Sequence, residues 1–131
     1  MRIVFDTNIY ISALMFPGGR AEAALLKVIE GETELIVSVP VIHEVLDVLA
    51  RKFDRDAEEL ARVAVYLAEL GRVVKPKRKL AVLRDEPDNR IIECAVTGRA
   101  NLIVTGNHAM LALGEHKGIR IVTLKAFLKE C

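Results

Sequence analysis

Three short runs of this chain contain no polar residue: Ile3-Val4-Phe5, Leu35-Ile36-Val37 and Leu102-Ile103-Val104. A strand with one wet face alternates apolar and polar side chains, so a run without alternation belongs to a sheet covered on both faces. Stretches with helical spacing separate the runs. They are Ala21 to Ile29, closed by Gly31; Pro40 to about Phe53, with proline in its favoured first turn; Asp56 to Leu70, stopped by Gly71; and Asp88 to Thr97, ended by Gly98. Val73-Val74 reads as a short extended segment, Ile119 to Val122 as a last strand, and Lys125 to Glu130 as a closing helix. Strands that alternate with helices imply a parallel sheet sheathed by helices. The expected fold is therefore α/β, a three-layer α/β/α sandwich around a central parallel sheet of four to five strands. At 131 residues and 52% hydrophobic, the chain suits a single domain, 1–131, with a sizeable core.

The formal net charge is +1, so any affinity for phosphate must come from a local site. No apolar stretch approaches the ~18 residues that would span a membrane. Asp6 and Asn8 interrupt the N-terminal apolar run too early for a signal peptide. Cys94 and Cys131 form neither a CxxC pair nor a disulfide framework, and they read as free thiols of a reducing cytoplasm. A cytoplasmic location without membrane contact is the expectation.

In open α/β sheets, function gathers at the carboxyl edge of the strands. Asp6-Thr7-Asn8 follows the first strand directly, and Thr105-Gly106-Asn107 follows the strand Leu102 to Val104. Asp6, Thr7 and Asn107 also suit plain helix capping. Glu44 reads as a first-turn residue of the helix opened by Pro40, beside the apolar arc of Val41, Val45, Val48 and Leu49. Asp88 ends the acidic segment Asp85-Glu86-Pro87-Asp88 and is a natural cap for the next helix. If Asp6, Glu44 and Asp88 converge, their oxygen-only ligand set suits Mg²⁺ or Mn²⁺. Zinc fits poorly: His43, His108 and His116 lack HxxxH spacing, and no cysteine pair accompanies them. His43, ~100° around its helix from Glu44, reads as a surface residue. Lys75, Lys77, Arg78 and Lys79 form the densest basic segment, either a solvated loop or a phosphate contact; Arg51, Lys52 and Arg55 are a second candidate. With 5% aromatics, base stacking is limited.

These segments together resemble the PIN-domain family, and within it the VapC-like toxin components of toxin–antitoxin systems. The resemblance runs through Ile3-Val4-Phe5-Asp6-Thr7-Asn8-Ile9 and Ser12-Ala13-Leu14, then Ser38-Val39-Pro40-Val41-Ile42-His43-Glu44, then Asp85-Glu86-Pro87-Asp88-Asn89-Arg90, and finally Ala100 to Asn107 and Ile119 to Thr123. Each motif is weak alone, and four in order are a strong signal. The resemblance implies a metal-dependent endoribonuclease using Mg²⁺ or Mn²⁺ on an RNA substrate, often homodimeric and inhibited by a small antitoxin protein. It puts Asp6, Glu44 and Asp88 at the catalytic and metal positions. Thr7, Asn8, Ser12, Asp85 and Thr105 become supporting residues. Asn107 stands where the family usually has Asp, as a metal ligand without charge, which favours one well-held ion over a pair. The alternative is a weakened or inactive PIN scaffold that binds RNA or protein. Other open-sheet classes lack their signatures: the Asp-x-Asp-x-Thr of haloacid-dehalogenase-type phosphatases and the GxGxxG of dinucleotide folds are absent.

Overall fold

The computed structural model describes residues 1–130; Cys131, one of the two predicted free thiols, lies outside them. The three unalternating runs become β1 (Arg2–Phe5), β2 (Glu34–Ser38) and β4 (Leu102–Val104), and Ile3, Val4, Phe5, Leu35, Ile36, Val37 and Ile103 are almost wholly buried. Adding β3 (Arg72–Val74), β5 (Glu115–His116) and β6 (Ile119–Val122) gives a six-stranded sheet in the order β3-β2-β1-β4-β6-β5. All pairings are parallel except β5 with β6. The sheet thus exceeds the expected four to five strands by a two-residue antiparallel edge. So short a strand leaves no alternation to read.

The helices are α1 (Thr7–Met15), α2 (Arg20–Ile29), α3 (Val39–Phe53), α4 (Ala57–Leu70), α5 (Glu86–Thr97), α6 (His108–Leu113) and α7 (Leu124–Glu130). In the sequence, α1 and α6 are foreshadowed only by their candidate caps, Asp6 and Asn107, without bounds. Buried residues of α1 include the consecutive run Ile9, Tyr10 and Ile11, so it shows no one-sided periodicity. At six residues, α6 is too short for a periodic signal. Helices α3 and α4 carry conventional side-chain caps. Ser38 Oγ accepts from Val41 N–H at 3.3 Å with Pro40 in the first turn, and Asp56 accepts from Glu59 N–H at 2.9 Å. The core centres on Phe5, whose ring meets Tyr10 and Phe127 edge-on at 5.7 and 6.1 Å, tying α1 and α7 to β1. At the far end of α5, Gly98 sits so close to β2 that a Cβ there would collide with Ile36 Cγ2. The C-terminal end of α5 is thereby pinned to the sheet while its N-terminal turn lies at the carboxyl edge.

Two local expectations change. Helix α5 starts at Glu86, so Asp88 is a first-turn residue and Asp85 is the N-cap, without a side-chain cap bond. Pro87 accounts for this, since proline is favoured within the first turn and the helix opens before it. Likewise α3 starts at Val39, which makes Glu44 its sixth residue, beyond the first turn and its dipole.

Candidate functional site

Asp6 leaves β1 at the sheet's carboxyl edge with its backbone N–H bonded to Val104 O at 3.0 Å, which locks it beside the end of β4. The next residue on that neighbouring strand end is Thr105, and its Oγ1 donates to Asp6 Oδ2 at 2.6 Å. Thr105 is fully buried and Asp6 is 6% exposed. Thr105 Oγ1 also accepts from Asn107 N–H at 2.9 Å, so one hydroxyl joins the carboxylate to the start of α6. Asp6 is the backbone N-cap of α1, and its side chain makes no cap bond. Burial raises its pKa, against the lowering pull of Thr105 and of the Asn8 and Thr7 amides.

The first turn of α5 carries Asp88 to the same place. It is 8% exposed, and its pKa is raised by burial and then by the charges of Asp6 and Asp85. Two acidic groups far apart in sequence therefore sit close enough for the charge of Asp6 to oppose the ionisation of Asp88. Asn107 stands between the second of them and α6. Its Nδ2 faces both Asp88 oxygens at 3.5 Å, while its Oδ1 accepts from Met110 N–H at 3.0 Å. Asn107, expected as an uncharged metal ligand, thus spends one lone pair of its amide oxygen on the helix cap and offers its amide N–H to Asp88. A neutral amide can satisfy both contacts at once because it carries a donor and an acceptor.

Glu44 is partly buried on α3, beside Val45, and His43 is exposed as expected. Among the described residues, no three His, Cys, Asp or Glu side chains form a group that could hold a metal ion. The structure thus brings Asp6 and Asp88 together and does not complete the triad with Glu44. Two carboxylates still fit the hard-cation chemistry, since Mg²⁺ commonly keeps several waters and uses one or two carboxylates. Of the supporting residues, Thr7 is buried, Ser12 half-buried, and Asn8 and Asp85 exposed; Asp85 acts on the site through its charge on Asp88.

Sequence reasoning missed Asn89 and Glu93, both buried on α5. Asn89 Oδ1 accepts from Val82 and Leu83 N–H at 3.0 and 2.7 Å, and its Nδ2 donates to Leu83 O at 2.8 Å. Glu93 accepts from Leu80 N–H at 2.7 Å and from Arg90 at 2.8 Å. Together they strap the irregular segment between β3 and α5 onto the helix. Their i, i+4 spacing on one helix face was the available signal. On that strapped segment, Lys75, Lys77 and Arg78 line a cavity of about 370 Å³, and Lys79 does not line it. In the second basic candidate, Arg51 pairs with Asp47 and Arg55 with Glu59.

A family model described as PIN domain matches residues 2–109. A Methanocaldococcus jannaschii protein, described as uncharacterized protein MJ1680, is 25% identical over 142 residues, covering 99% of this chain and 91% of that protein. Among solved structures, VapBC2 from Rickettsia felis, bound to a DNA fragment from their promoter, aligns with a TM-score of 0.68 at 13% identity over 94% of this chain and 98% of that one. VapBC-1 from nontypeable Haemophilus influenzae aligns at 0.67 and 15% identity, over 95% and 99% of the two chains. At such identities the structural likeness speaks to the fold.

Proposed function

The chain belongs to the PIN-domain family, and on that premise we propose that it is a metal-dependent endoribonuclease, the toxin of a toxin–antitoxin pair. The observation that carries this reading is the meeting of Asp6 and Asp88 at one sheet edge, with Thr105 and Asn107 supplying a donor to each. In this reading Asp6 and Asp88 would hold one Mg²⁺ or Mn²⁺. When bound, such an ion supplies a hydroxide near neutral pH and polarises the phosphoryl oxygen. Thr105 keeps Asp6 oriented and favours its ionised form. Asn107 offsets the charge of Asp88 while holding the start of α6. Exposed apolar side chains at the end of α1 and along α2 and α4 (Phe16, Leu26, Ile29, Val65) support a protein partner. The VapBC assemblies among the similar structures support an antitoxin as such a partner. A homodimer is the companion expectation, read by light scattering. No described helix is long and apolar enough to cross a membrane.

The test is cleavage of single-stranded and structured RNA with Mn²⁺ or Mg²⁺, with EDTA and Asp6→Asn as controls. Activity that survives both controls rejects the metal mechanism. A second reading, a PIN scaffold that binds RNA or protein without cutting, is favoured by one feature, the uncharged Asn107 that faces Asp88 where a further acid is usual. Calorimetry separates the two: RNA affinity without Mn²⁺ binding at millimolar concentration selects the scaffold.

A further inference from the structure

The cavity lined by Lys75, Lys77 and Arg78 is completed by Leu80, Glu93, Val96, Thr97 and, from the β5–β6 turn, Lys117. Its one acid among the described residues, Glu93, is already committed to Arg90 and the Leu80 amide, so four cations share a cavity in which no described anion is left free. An adjoining cavity of about 450 Å³ shares Thr97 and is lined by Arg2, Arg72 and Arg99, with Glu34 paired to Arg72. Seven of the chain's 19 Lys and Arg residues line these two cavities, against two of its 18 Asp and Glu. In a chain of net charge +1, positive charge is therefore concentrated along the C-terminal half of α5.

The backbone adds a second, independent observation. Among the described residues, three non-glycine positions have positive φ, and two of them, Arg99 at 53° and Lys117 at 49°, are cations of this surface. Lys117 opens a two-residue turn with Gly118 between antiparallel strands, a position where Asn, Asp or Gly is the favoured choice. Two long cationic side chains thus occupy conformations that cost backbone energy. The loop that carries the other three cations is held by the Asn89 and Glu93 bonds, so its charges are preorganised.

We infer that this surface binds the phosphodiester backbone of single-stranded RNA, at nucleotides beyond the one cleaved. The choice of RNA rests on the ribonuclease reading above. From Asp88 to Thr97, α5 advances on the order of 14 Å at ~1.5 Å per residue. At ~3.4 Å of rise per phosphate in a stacked strand, that is about four nucleotides. Contacts of this kind position a strand without reading its bases. An acidic protein segment fits less well, because four of the exposed large apolar side chains that would anchor it, Phe16, Leu26, Ile29 and Val65, lie on or beside other helices.

The test is fluorescence anisotropy of a short labelled single-stranded RNA on the full chain in EDTA, across a KCl series. Each phosphate contact contributes ~0.7 to the slope of log K against log salt. Lys77→Gln/Lys117→Gln is expected to lower that slope by about 1.4 and weaken binding uniformly across sequences. Lys125→Gln/Lys129→Gln, which neutralises two exposed lysines of α7, leaves the slope unchanged. Matching melting curves establish that both variants fold. Equal slopes for the two variants overturn the inference even if the chain cleaves RNA. A slope that falls as expected in a chain that never cleaves upholds the surface and removes the ribonuclease reading. Absence of RNA binding at low salt, with polyglutamate bound instead, gives the surface to an acidic protein and overturns the RNA assignment.

Discussion

Replacing Thr105 by Val keeps the side chain's shape and removes one hydroxyl that is fully buried and makes two bonds. The bond to Asp6 is charge-assisted, and such bonds contribute ~1.5–3 kcal/mol. The Asn107 amide also loses its acceptor; being partly exposed it regains water, so ~0.5–1 kcal/mol is a fair share. The expected loss is about 2–4 kcal/mol at neutral pH, close to 4 °C of melting temperature per kcal/mol for a domain of this size. The pH dependence identifies the cause. Burial raises Asp6 above its ordinary 3.8, so the native chain binds that proton more tightly than the unfolded one. Ionised Asp6 therefore subtracts from stability. The penalty is absent below 3.8, grows as pH rises through the native pKa, and is constant above it. Losing the Thr105 bond raises the native pKa further, so the gap between wild type and variant is full near pH 8 and narrows as pH falls through that range. Thermal melts in EDTA across pH measure it. A gap under about 0.5 kcal/mol, or one that does not change with pH, refutes the reasoning. In the metal-bound reading, the same variant weakens Mn²⁺ by about 10–100-fold in calorimetry.

Asn107→Asp preserves the helix cap, since Asp accepts from Met110 N–H as well as Asn does. It replaces the donor facing Asp88 with a third acid. The variant is expected to melt lower than wild type in EDTA and to bind Mn²⁺ more tightly; unchanged melting and affinity would show that Asn107 is remote from Asp88 in solution. Asn89→Ala removes three bonds that hold Val82 and Leu83 against α5, a loss of about 1.5–4.5 kcal/mol at ~0.5–1.5 each. Hydrogen exchange is expected to accelerate at the Val82 and Leu83 amides. Protection that persists there would mean that the segment is held by other contacts.

The unalternating runs and helical periods predicted the layers and the parallel core because a strand buried on both faces has no freedom to be polar. Asp6 was legible for a related reason: a carboxylate placed directly after a buried strand has only the carboxyl edge to occupy. Boundaries failed where local chemistry outweighed pattern, as at Pro87, which moves the start of α5 back to Glu86 and makes Asp88 a first-turn residue. Asn89 and Glu93 were passed over because a buried polar side chain is recognisable only by its partners, and those lie on the separate Leu80 to Leu83 segment.

By itself, then, the sequence determined the α/β class, the sheet edge where polar groups gather, and the segments that resemble a PIN domain. Tertiary structure decided the rest. It brought Asp88 against Asp6 and left Glu44 outside any three-acid group. It also set the Asn107 amide against Asp88, and added Lys117 to the basic loop. The physical reason is one of range. Burial and periodicity act over a few residues and leave a trace in composition, whereas a hydrogen bond or a charge repulsion is fixed by ångström distances between segments the chain has yet to bring together.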